Sequence, residues 1–175
     1  MSKRWAGLLL GVAGLLSLTA CGPKANPYFA LVMADGKPTV LIAECARDGI
    51  DYVTLWESGT STAPPATRVE WSVEAPTSPL PSSTIRVSTV EAPARITLLE
   101  TPPEWLNQRD TLPELRDGVE YYLSGGLSNP GSLTFTLAQL RAMAPGEVLT
   151  VTGYTEQHVV PEKDWRSAAD QACDR

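Results

Sequence analysis

Apolar residues in this chain come in short runs, several of them alternating with polar residues, and proline or glycine closes most of these runs. The clearest run is Thr67 to Glu74. There Val69, Trp71 and Val73 alternate with Arg68, Glu70, Ser72 and Glu74. A period of two places the three apolar side chains on one face of a half-buried strand. Fifteen prolines and 13 glycines in 175 residues break the chain before helices can grow long. The pattern constrains the chain to antiparallel sheet. It excludes a doubly wound α/β fold, in which strands would alternate with long helices.

Further strands are predicted over Tyr28–Met33, Thr39–Cys45, Ile50–Glu57, Thr84–Val90, Arg95–Leu99, Val119–Ser124, Leu133–Leu137 and Glu147–Gly153. Asp48-Gly49 predicts a hairpin between Thr39–Cys45 and Ile50–Glu57. Proline- or glycine-bearing loops are expected at Ser58–Ala66, Ala75–Ser83, Thr101–Gly118 and Gly125–Gly131. Two short helices are expected. Thr136 and Gln139 have the spacing of a capping box before Leu137–Met143, which Pro145-Gly146 would stop. Pro161, Glu162 and Asp164 suit the start of a helix running to Ala172. The expected fold is mainly β: an antiparallel β-sandwich with one or two short helices, one of them C-terminal.

The first twenty residues stand apart from this pattern. Lys3 and Arg4 precede 15 uncharged residues, Ala6 to Ala20, seven of them leucine or valine. This is short for a permanent span, which needs about 20 apolar residues, and it fits the h-region of an export signal. The run ends in Leu18-Thr19-Ala20-Cys21, which resembles the lipobox of bacterial lipoproteins. The resemblance implies diacylglycerol transfer to the Cys21 sulfur, cleavage before Cys21 and acylation of the new amino terminus. It implies an extracytoplasmic protein anchored to the cell membrane, or to the outer membrane of a two-membrane host. The alternative is an ordinary signal peptide with a chance cysteine. The expected organisation is a leader at 1–20, a lipidated tether at 21–37 and one sandwich domain at 38–175.

Without Lys3 and Arg4 the chain carries 12 basic and 20 acidic residues, net −8. That balance disfavours nucleic acid and anionic surfaces as partners, so membrane attachment falls to the lipid. Cys45 and Cys173 remain after processing. In an oxidising compartment an even pair reads as a disulfide, with two buried free thiols as the alternative.

The sequence carries no recognisable catalytic motif, and neither a metal site nor a cofactor is expected. His158 is the only histidine, so histidine-based catalysis and multi-histidine metal sites lack their ligands. Gly-x-Ser-x-Gly, Walker, Rossmann, His-Glu-x-x-His and calcium-loop spacings are absent. Glu100 and Glu104 form a carboxylate pair of a kind that chance also produces.

Leu115-Arg-Asp-Gly-Val-Glu-Tyr121 resembles the tyrosine corner of immunoglobulin-like and fibronectin type III-like sandwiches, with Asp117 where those families usually carry proline. The resemblance implies an immunoglobulin-like sandwich in which the Tyr121 hydroxyl bonds back to the preceding loop. The alternative is a tyrosine in an ordinary sheet.

Among the tryptophans, Trp56 and Trp71 are expected in the core and Trp165 between the C-terminal helix and the sheet. Trp105, in the long proline-rich loop, is a candidate binding anchor, with folding back to plug the sandwich as its alternative. Tyr121 and Tyr122 point to opposite faces, which makes Tyr122 a second candidate. The functional expectation is a binding or structural module of the cell envelope, partnered by an envelope protein or cell-wall component. A small-ligand-binding accessory lipoprotein is the alternative, and an envelope hydrolase ranks below both.

Overall fold

Phe29–Ala34 (β1) and Lys37–Ile42 (β2) pair antiparallel through a two-residue turn, Asp35-Gly36. Both turn residues have positive φ, 51° and 78°, as a type I′ hairpin requires, and Asp-Gly is a favoured pair for it. The body of the domain therefore begins before Pro38. β1 is the central strand of its sheet, not part of a tether. In the computed structural model the described residues are 27–60, 68–79, 86–126, 132–152 and 156–174. The leader, Cys21, most of the loop after Gly59 and most of the turn after Gly125 lie outside them.

Two five-stranded antiparallel sheets form a β-sandwich. The first runs in the order β12-β11-β1-β2-β7, where β7 is Arg95–Thr97, β11 Glu147–Thr152 and β12 Glu156–Pro161. The second runs β10-β9-β3-β4-β8, where β3 is Tyr52–Glu57, β4 Glu70–Glu74, β8 Leu106–Asp110, β9 Glu120–Gly125 and β10 Leu133–Thr136. Thr77–Pro79 (β5) and Arg86–Ser88 (β6) form a separate ribbon. One apolar core joins the two layers, with Leu31, Ile42, Ile96 and Leu149 from the first sheet and Val53, Leu55, Trp71, Tyr121 and Phe135 from the second.

The core of this arrangement has the immunoglobulin strand order. β1-β2-β7 corresponds to A-B-E, and β10-β9-β3-β4 to G-F-C-C′. Two features depart from it. β8 joins the β4 edge although it follows β7 in sequence, and the β11–β12 hairpin extends the first sheet beyond β1.

Asp48-Gly49 does not form the expected hairpin. Glu44–Gly49 is a 3-10 turn that carries the chain from β2 in one sheet to β3 in the other. Both helices form where expected. Leu137–Ala142 (α1) is capped by Thr136, whose hydroxyl accepts the Gln139 N–H at 3.2 Å. Glu162–Cys173 (α2) buries Trp165, Ala169 and Ala172 and packs against β11, β12 and the 3-10 turn. Cys45 and Cys173 form a disulfide across 128 residues, with Cα atoms 6.1 Å apart, within the usual range.

Candidate functional site

The alternation in β3 decides what the second sheet shows to solvent. Val53 and Leu55 are buried, so Tyr52, Thr54 and Trp56 take the opposite, outer face. Trp56 was expected in the core. It lies half-buried on the outside because it shares parity with Tyr52 and Thr54. On β9 the same rule sends Tyr121 inward and Tyr122 outward. On β4, Trp71 and Val73 are fully buried, and Glu70, Ser72 and Glu74 take the outer parity, with Glu70 and Glu74 half-buried and Ser72 between them buried.

Register assembles these residues into rows. Trp56 stands opposite Tyr122 on one side and Glu70 on the other. The Trp56 and Tyr122 rings stack with centroids 4.5 Å apart and planes at 29°. The Trp56 indole N–H is screened from solvent and meets no acceptor among the described residues. The pair therefore offers ring surface and not a donor. The next row is hydroxylic: Thr54 lies between Ser124 and Ser72, and the Thr54 and Ser72 hydroxyls hydrogen-bond at 3.0 Å. In the third row Tyr52 stands opposite Glu74, which in turn pairs with Leu106 on β8. Tyr52 is 39% exposed and Leu106 is 54% exposed. Beside them, Glu74, Ala75, Pro76, Thr77, Leu106 and Gln108 line an open groove of about 320 Å³.

The helices leave this face open. α1 packs on β1 and β10, and α2 on the other sheet. The carboxylates of Glu70 and Glu74 have no ion-pair partner among the described residues. The outer face is thus a polar surface on which Glu70 and Glu74 share β4 with Ser72, itself opposite Arg109, and aromatic rings stand at both ends of β3.

Trp105 is elsewhere. It is only 5% exposed and belongs to the core, so its indole is not a surface anchor. The cause is a tight turn. The Trp105 N–H bonds to Pro102 O at 3.1 Å, with Pro103 second in the turn and Glu104 third at φ 67°. That is the pattern of a type II turn, and it folds the indole back into the domain. Tyr122 is brought together with Trp56, which sequence reading had assigned to the core. The signal that would have placed Trp56 outside was its parity with Tyr52 and Thr54, opposite Val53 and Leu55.

The remaining polar candidates disperse. His158 is half-exposed on the edge strand β12, 3.7 Å from Glu156. Glu100 is engaged by Lys37 at 2.6 Å, and this contact raises the Lys37 ammonium above its ordinary range. Among the described residues no three His, Cys, Asp or Glu side chains gather as metal ligands, and no helix is long and apolar enough to cross a membrane. No family model matches the chain, and no curated protein or solved structure shows significant similarity to it.

Proposed function

We propose that this chain is a lipid-anchored, extracytoplasmic binding module of the bacterial cell envelope, held by Cys21. Its contact surface is the outer face of the β10-β9-β3-β4-β8 sheet. The observation that carries the surface is the half-buried Trp56–Tyr122 stack on a sheet face that no helix among the described residues covers. A stacked aromatic pair supplies a large, stiff contact area at little cost in side-chain entropy, which is why such rings anchor interfaces. The anchor rests on the lipobox at Leu18–Cys21 behind a charged and then apolar leader. The Cys45–Cys173 disulfide fits an exported protein.

Two measurements test the reading. Cells fed labelled palmitate should incorporate it into the wild-type chain and not into Cys21→Ala. A photo-cross-linker placed at Tyr122 should capture an envelope component in intact membranes, whereas one at Ala168, exposed on α2, should not. No lipid on Cys21 would end the anchoring reading, and equal capture from both positions would end the reading of the face.

A further inference from the structure

The outer face repeats one pairing. Trp56 stands opposite Glu70 and Tyr52 opposite Glu74, on the same two strands, with the hydrogen-bonded Thr54–Ser72 pair between them. The two aromatic–carboxylate stations are four residues apart along β3, or about 13 Å at the rise of an antiparallel strand. Each sets an aromatic residue opposite a glutamate whose carboxylate has no ion-pair partner among the described residues. A ring face attracts a cation through its quadrupole, and a nearby carboxylate adds a charge-assisted hydrogen bond.

From this repeat we infer that the face receives an extended, cationic segment of an envelope protein, with two lysine or arginine side chains four residues apart. This rests on the proposed reading of the face as the contact surface. One cation lies over the Trp56–Tyr122 stack against Glu70. The other meets Tyr52 and Glu74, with its aliphatic stem along Leu106 and the groove beside it. Extended backbone projects residues i and i+4 to the same side at the spacing of the two stations. A neutral glycan would desolvate Glu70 and Glu74 without neutralising them. A second copy would bring another net-acidic chain and the same carboxylates to the interface.

The test uses the full chain in non-ionic detergent. The main probe is a nine-residue Gly/Ser/Thr peptide with arginine at positions three and seven. Controls carry glutamine at both positions, or arginine at three and four, which an extended strand points to opposite sides. A neutral β-1,4-linked N-acetylglucosamine hexamer is the glycan control, and sedimentation reports self-association. The three/seven peptide should bind at least about tenfold more tightly than the glutamine peptide at low salt, and salt should weaken it. Glu70→Gln and Glu74→Gln keep shape at half-buried positions, and each should weaken binding several-fold. Trp56→Ala should do the same.

Equal binding of the glutamine peptide, or no effect of either Glu→Gln change, would overturn the inference. So would equal binding of the three/four peptide, binding of the hexasaccharide alone, or a dimer that buries the face. Cross-linking from Tyr122 in membranes without peptide binding would sink this inference alone. Loss of both results would sink the reading of the face as well.

Discussion

The phenolic oxygen of Tyr121 accepts the backbone N–H of Arg116 at 2.7 Å, while its ring is fully buried between the sheets. Tyr121 opens the buried part of β9, and its bond back to the loop before the strand has the geometry of a tyrosine corner. The Arg116 side chain adds an ion pair to Glu57 on β3, which raises the guanidinium above its ordinary range. One residue of the corner loop is thus tied to β9 by its backbone and to β3 by its side chain. Removing only the hydroxyl leaves a part-buried N–H without its partner. Tyr121→Phe should lower unfolding free energy by about 1–2 kcal/mol. Tyr122→Phe, on the half-exposed face, should change it by less than about 0.5 kcal/mol. Urea titration of both variants checks the contrast, and equal effects would mean that the corner bond contributes nothing.

Close approach of the layers makes Gly125 a second sensitive point. A Cβ there would overlap the Phe29 ring from the opposing sheet. Gly125→Ala must push that ring or spread the layers, and it should cost about 1–3 kcal/mol as overpacking does. Gly59 is the control, since a Cβ there meets nothing within 4 Å. Gly59→Ala should stay within about 0.5 kcal/mol of wild type. A Gly125→Ala protein with an unshifted urea midpoint would show that the layers are not packed this closely.

Local signals in the sequence were legible where one strand or one turn decides the outcome. The Val69-Trp71-Val73 alternation placed β4, Thr136 and Gln139 placed the α1 cap, and the Leu115…Tyr121 spacing placed the corner bond. The pairing of Cys45 with Cys173 followed from their being the two cysteines left after Cys21. What sequence reading missed depends on distant chain segments. The runs on either side of Asp48-Gly49 look like a hairpin, but sheet membership is set by β1 and β7 flanking β2, and by β4 and β9 flanking β3. Leu106–Asp110 is almost wholly polar and became a strand because the β4 edge offers it a ladder. Of the two stacked rings, the outward direction of Tyr122 was legible in the sequence and that of Trp56 was not. Trp56 is hydrophobic, but its parity with Tyr52 and Thr54 sets the side it takes.

The two tryptophans of the β3–β4 ladder give a direct check on that correction. Trp71 is fully buried, so Trp71→Ala should cost about 3–5 kcal/mol. Trp56 loses chiefly its stack on Tyr122, so Trp56→Ala should cost about 1 kcal/mol. Iodide should quench the fluorescence of Trp71→Phe, which keeps Trp56, more strongly than that of Trp56→Phe. The reverse order would put Trp56 back in the core.

The C-terminal helix is fastened at both ends. Near its start, the Trp165 indole N–H donates to Pro27 O at 2.7 Å, holding the first described residue of the chain. At its last residue, Cys173 is bonded to Cys45 in the 3-10 turn between the sheets. Closing so long a loop stabilises mainly by restricting the unfolded chain, so Cys45→Ala/Cys173→Ala should lose about 2–5 kcal/mol. Trp165→Phe keeps much of the ring burial but removes the donor, and it should lose about 1–2 kcal/mol. The two variants should differ in where they loosen. Amide hydrogen exchange should rise at the C-terminal turn of α2 when the disulfide is removed. In Trp165→Phe it should rise at the first turn of α2 and at the start of β1. Uniform acceleration across both sheets in either variant would mean that α2 is part of the cooperative core and not a clamp laid over it.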